Sequence, residues 1–152
     1  MKRTTKILSI VLLASLSIYI LLVAYLNQNH GSKIINGIEV SELLLLHTRN
    51  KDIDYCKILS NATNGDEKSI KELLQLEVYD GAGYDHGVVI IDLINLLGET
   101  KIINAVKTMD CKHKSAIISY INAGLQYGNN TNLKAFESHK AFPLLHASLE
   151  CL

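Results

Sequence analysis

Apolar side chains are distributed along this chain in two different patterns. From Ile7 to Leu26 they fill 20 residues without one charge, whereas further on they recur every third or fourth position among polar residues. The second pattern predicts amphipathic helices. Val40, Leu43 and Leu44 mark a first one, and Tyr55, Ile58, Leu59 and Ala62 a second. Asn64 and Glu67 have the spacing of a capping box ahead of Ile70, Leu73, Leu74 and Val78, which share one helical face. Val88 to Leu97 is ambiguous, because Val88-Val89-Ile90-Ile91 also suits a buried strand. Its polar members Asp92 and Asn95 are three apart and so share a helical face. Asp85 can cap the start and Gly98 the end, and a nearly buried helix is the better reading. Thr100 opens another helix carrying Ile102, Ile103, Val106 and Met109, and a longer one runs from about Lys112 to Tyr127 with Ile117, Ile121 and Leu125 inward. Asn129 to Asn132 read as a loop. Leu133 and Phe136 begin a last helix that Pro143 should kink or end, and Leu144, Leu145, Leu149 and Leu152 dock on the domain. The helical stripes predict a single core that includes Ile70, Leu73, Leu74, Ile91, Leu96, Ile103, Val106, Ile117 and Ile121.

The uncharged run is of another kind. At about 1.5 Å per residue its helix would match the roughly 30 Å hydrocarbon core of a bilayer. Lys2, Arg3 and Lys6 precede it and no charge follows until Lys33, so the positive-inside rule places the N-terminus in the cytoplasm and the rest across the membrane. A cleaved signal peptide is the rival reading, but the run exceeds a signal core of about 7 to 15 residues and Asn27 to Ser32 offer no convincing small-residue cleavage site. The expected organisation is a basic flank and transmembrane signal-anchor over residues 1–26, a tether over 27–37, and an extracytoplasmic helical domain over 38–152. The expected fold is all-α, a transmembrane helix followed by a compact bundle or short solenoid of antiparallel helix pairs. The expected location is a bacterial inner membrane, facing the periplasm.

Charge separates the two parts. Residues 1–33 hold Lys2, Arg3, Lys6 and Lys33 and no acid, which leaves 11 basic and 15 acidic groups downstream. A mildly acidic domain is a poor match for phosphate, which excludes nucleic acid as the expected partner. From Asp66 to Glu99 eight acids stand against two lysines, a surface able to steer basic proteins. Three cysteines, Cys56, Cys111 and Cys151, contain no Cys-x-x-Cys spacing, and an odd count leaves one unpaired in a monomer. Buried thiols and a disulfide both remain open; the favoured pair, if one forms, is Cys56 with Cys111.

The candidate chemistry lies in Tyr79-Asp80-Gly81-Ala82-Gly83-Tyr84-Asp85-His86-Gly87, read as a loop between two helices. Asp80, Gly81, Gly83, Tyr84, Asp85 and His86 form the candidate binding site, since glycines let a ligand approach closely and Asp and His supply acid, base or ligating groups. A purely structural reading also accounts for each: Asp85 as a cap, glycines as turn residues, tyrosines as packing. A metal reading would use Asp80, Asp85 and His86, joined by Asp92, but the stretch has neither a calcium-loop pattern nor a His-Glu-x-x-His helix; no nucleophile motif, phosphate-binding motif or cofactor fingerprint is present, and no catalytic residue is assigned.

The stretch from Asn64 to Gly128, with its Asp-Gly-x-Gly-Tyr-Asp-His-Gly segment before an apolar helix ending in glycine, resembles small bacterial envelope proteins that hold a helical domain at the membrane. The resemblance implies an anchored all-α domain and no particular reaction. The favoured function is therefore a membrane-tethered extracytoplasmic protein-binding domain, of an inhibitor or immunity type. The alternatives are a small enzyme centred on Asp80 to Gly87 and a structural envelope protein. Aspartate and histidine converging in a pocket would favour the enzyme, and an exposed apolar patch rimmed by acids would favour binding.

Overall fold

A computed structural model of the chain describes residues 16–20, 31–128 and 137–151. It divides into two units, residues 1–31 and 32–152. Within the first, residues 16–20 are helical with exposed side chains, and the remainder of the predicted span Ile7 to Leu26 lies outside the described residues. Among the described residues no helix is long and apolar enough to cross a membrane. The predicted loop from Asn129 to Asn132, the proposed helix start at Leu133 and Phe136, and Leu152 also lie outside them.

The second unit opens with a β-hairpin where the sequence suggested a tether and a first helix. Strand β1 (Lys33–Ile35) pairs antiparallel with β2 (Ile38–Val40), Ile35 opposite Ile38. Asn36 and Gly37 form the two-residue turn with φ of 48° and 89°, values that Asn-Gly adopts at little cost. The Asn36 amide donates to Thr63 Oγ1 at 2.7 Å, tying the turn to the helices. Val40 is consequently a buried strand residue.

Eight helices follow among the described residues: α1 (Glu42–Arg49), α2 (Tyr55–Thr63), α3 (Glu67–Leu74), α4 (Asp80–Leu97), α5 (Glu99–Val106), α6 (Cys111–Tyr127), α7 (Ser138–Ala141) and α8 (Pro143–Leu149). Short side chains start several of them by accepting from otherwise unpaired amides. Ser41 accepts from Leu44 N, Asp54 from Lys57 N, Asp66 from Ser69 N and Asp110 from His113 N. The predicted cap at Asn64 is displaced by two residues: Asn64 ends α2, and Asp66 caps α3. Asp85 is no cap either, because α4 begins five residues earlier than the sequence suggested. Pro143 stands at the first position of α8, where its missing N–H costs nothing, and α7 stops at Ala141 just before it, so it separates the two helices by ending one and opening the next.

One hydrophobic cluster joins these elements. Of the expected core, Ile70, Leu73, Leu74, Ile91, Val106, Ile117 and Ile121 are buried and Ile103 is partly so. Leu96 is 53% exposed, because it lies on the outward side of α4 next to Asn95. The principal packing is between α4 and α6. Gly83 meets Tyr120, Gly87 meets Gly124, and Val88 meets Gly128, so contacts advance together along the chain and the two helices run side by side in the same sense. A Cβ on Gly87 would collide with the Tyr120 carbonyl and lie 2.9 Å from Gly124 N. Glycine at these crossing points is what allows the backbones to touch. At the other end, Phe142, Leu145 and Leu149 dock on the core, and Glu99 of α5 accepts from Leu145 N at 2.7 Å, capping α8 from a neighbouring helix.

The disulfide joins Cys111, at the start of α6, to Cys151, just after α8, with Cα atoms 5.8 Å apart. The expected Cys56–Cys111 pair is therefore corrected. Cys56 is free and half-buried on α2, with Lys33 Nζ 3.5 Å from its sulfur.

Candidate functional site

The six residues read as a loop site form the first two turns of α4 and separate onto different sides of it. Asp80 starts the helix, exposed, with a φ of 54° that aspartate tolerates. Gly81 lies against Leu43, and Gly83 is buried beneath the Val78 carbonyl. His86 points into the core, where its Nδ1 is 2.8 Å from the Tyr55 hydroxyl and its ring meets Tyr55 and Tyr120 edge-on. Burial, weakly opposed by the Leu73 backbone, lowers the His86 pKa to about 4, and burial likewise holds the Tyr55 phenol well above its usual range. Both are neutral at ordinary pH. His86 Nε2 is sealed from solvent, and no hydrogen bond of normal geometry reaches it, the Leu73 backbone acting on the ring only weakly. Tyr120 completes this layer: its hydroxyl accepts from Val78 N at 3.0 Å and lies 2.9 Å from the Val78 carbonyl, clasping the connection into α4.

Asp85 and Tyr84 face the other way. Asp85 accepts from the Ser41 hydroxyl, which itself accepts from Leu44 N, so one carboxylate holds the N-cap of α1 against α4. Helical spacing puts Val88 and Asp92 on the same face as Asp85. Together with Glu39 from the hairpin, Ser41 from the N-cap of α1, and Tyr127 and Gly128 from the end of α6, they line a groove of about 440 Å³. Glu39, Asp85 and Asp92 give it three carboxyl groups, and no basic side chain is among its lining. Burial, and then the neighbouring Glu39 carboxylate, raise the Asp92 pKa above the usual carboxyl range. At the edge of the groove, Tyr84 meets the lining residue Tyr127 with ring centroids 4.6 Å apart and planes tilted by 33°, the two remaining 48% and 56% exposed. Ile34 is also exposed, and as the cross-strand partner of Glu39 it shares that side chain's face of the hairpin.

This charge pattern distinguishes the groove from the other cavities. One of about 530 Å³ between α2 and α3 mixes Asp54, Asp66 and Glu72 with Lys57 and Lys68, and one of about 370 Å³ near Cys56 mixes Asp52 and Asp54 with Lys33 and Arg49. Among the described residues no three His, Cys, Asp or Glu side chains converge as a metal site. Asp85 and His86, adjacent in sequence, cannot act on one substrate, since one lines the groove and the other is enclosed in the core. Of the candidates read from the sequence, Asp85 lines this groove and Tyr84 lies beside it; Asp92 was weighed only as a metal ligand, and Glu39, Ser41 and Tyr127 were not singled out. Asp92 and Asp85 carry the i, i+7 signal of a shared helical face; nothing local links them to Glu39 or Tyr127.

Comparison with known proteins finds no family model, no curated protein and no solved structure that matches this chain.

Proposed function

We propose that this chain is a membrane-tethered, extracytoplasmic protein-binding domain, whose binding face is the acid-lined groove with the exposed Tyr84–Tyr127 pair. The observation that carries the reading is that pair. Two large amphipathic rings, in tilted contact with each other and half in solvent, add little to the core and much to an interface, where tyrosine supplies rigid contact area and a hydroxyl. Acidic surroundings suit a basic partner, and an inhibitor or immunity-type domain that neutralises such a protein fits this arrangement. The membrane anchor is residues 7–26, with the basic flank in the cytoplasm and residues 27–37 as the tether. The Cys111–Cys151 disulfide supports an oxidising location for residues 32–152, because such bonds persist outside the cytosol. An enzyme centred on Asp80 to Gly87 gains no support from His86, which has no access to the groove.

The test is site-specific photo-crosslinking in cells that carry the full-length chain. A crosslinker at position 84 or 127 should trap one discrete partner, whereas position 144, on an exposed leucine of α8, should not. Tyr84→Ala should weaken that capture with no change in melting temperature. Protease added after outer-membrane permeabilisation should digest the domain. No position-specific adduct, or a domain shielded until the inner membrane is lysed, would overturn the corresponding half of the reading.

A further inference from the structure

We infer that the groove seats a basic side chain of the partner, arginine in preference to lysine, with its cationic head between Glu39 and Asp92 against the Tyr127 ring and its stem along Val88 and Ile91. This rests on the protein-binding reading above and adds the chemistry of the ligand to it.

Asp92 faces the groove from α4. Its carboxylate is half-buried and has no hydrogen bond or ion pair among the described residues, and its strongest electrostatic neighbour is another acid, Glu39. Two carboxylates from separate elements facing one cavity repel each other and lose hydration, a local cost that a seated cation removes. Asp85 is different: the Ser41 hydroxyl already occupies it, so it adds negative potential without needing a further partner. The walls supply the rest. Val88 and Ile91 offer apolar surface to the methylenes of a long basic side chain, and Tyr127 offers a ring face on which a planar guanidinium stacks. Arginine fits better than lysine because its flat fork donates to two acceptors while keeping that stacking contact. An anion would be repelled, and an uncharged apolar group would desolvate the carboxylates with nothing in return.

The probe is the acetylated, amidated pentapeptide Gly-Leu-Arg-Leu-Gly, titrated against the isotope-labelled full-length chain in detergent micelles and followed by amide chemical shifts. Its control is the same peptide with citrulline, which keeps the shape and removes the charge. The expected result is that the arginine peptide shifts amides around Glu39 and from Asp85 to Asp92, and that the citrulline peptide does not. Asp92→Asn and Glu39→Gln should each weaken binding by roughly tenfold, about 1.4 kcal/mol. Raising salt should weaken it further. Asp92→Asn relieves a buried charge, so its melting temperature at neutral pH should equal or exceed that of the unmodified chain, and lost binding cannot be ascribed to unfolding. Equal binding of the citrulline peptide, shifts confined to other surfaces, or full affinity in both carboxylate variants would overturn the inference. Crosslinking at position 84 separates the two failures: a partner still trapped when Asp92→Asn and Glu39→Gln are combined leaves the binding reading intact and rejects this site for the cation.

Discussion

His86 shows how one residue changes meaning once its surroundings are known. In the sequence it neighbours two aspartates and three glycines, and general acid–base chemistry is a fair expectation. In the fold it is enclosed with Tyr55 and Tyr120, neutral, and part of the core. Its titration therefore bears on stability. The folded-state pKa of about 4 lies below the ordinary 6.5, so the unfolded chain binds the proton first as pH falls. The stability linked to His86 is complete above pH 6.5, declines between 6.5 and 4, and changes no further below that. Its size over that window is roughly 3 kcal/mol. Urea unfolding at several pH values checks this: the chain should lose stability toward pH 4, and His86→Phe, though less stable at neutral pH for want of the Tyr55 hydrogen bond, should lose markedly less over the same range. Parallel pH profiles would reject the burial argument. Asp92 acts with the opposite sign, since its raised pKa makes the protonated form the better folded one and stability falls as pH rises through its titration.

At the level of the element, α4 is the most instructive. Its first half holds Gly81, Gly83 and Gly87, which lower helix propensity and mark a loop in any local reading. Packing overrides that preference because α6 must come close, and Gly83 with Gly87 on one helix and Gly124 with Gly128 on the other give a four-residue spacing of small residues along the seam. That spacing was present in the sequence and is the signal that distinguishes a contact face from a turn. Gly87→Ala should destabilise by about 1 to 3 kcal/mol, since the new methyl meets backbone that cannot rotate away. Gly81→Ala should be neutral or slightly stabilising, because the nearest atom is the movable Leu43 side chain and alanine favours the helix. Thermal melts of the two variants test this, and a similar loss in both would show that the close crossing is not what selects glycine at position 87. Other elements were more legible. The buried face of α2, Tyr55, Ile58, Leu59 and Ala62, is the one its periodicity predicts, as is that of α6. The hairpin was signalled by Asn36-Gly37 but is too short for alternation to reveal.

For the domain as a whole, the C-terminal segment is a separate piece fastened at several points. Phe142, Leu145 and Leu149 are buried, Glu99 caps α8, Lys114 donates to the Ser148 carbonyl at 2.9 Å, and the disulfide closes a span of 40 residues. Replacing Cys111 and Cys151 by serine should cost about 2 to 4 kcal/mol, mainly by freeing the unfolded chain. Reductant should bring the unmodified chain down to the level of that double variant and leave the variant unchanged, whereas Cys56→Ser should alter neither. Equal stability with and without reductant would remove the bond from the account of how the tail is held. The sequence by itself determined that the domain is helical, where most helices lie and which residues face inward. Those properties follow from periodicity and capping, which act over a few residues and are written locally. Only the tertiary structure decided that α4 meets α6 in the same sense, that Cys111 meets Cys151, and that Glu39, Asp85, Asp92 and Tyr127 share one groove. These are meetings between segments tens of residues apart, and they depend on how every buried face is satisfied at once; no single segment carries that choice.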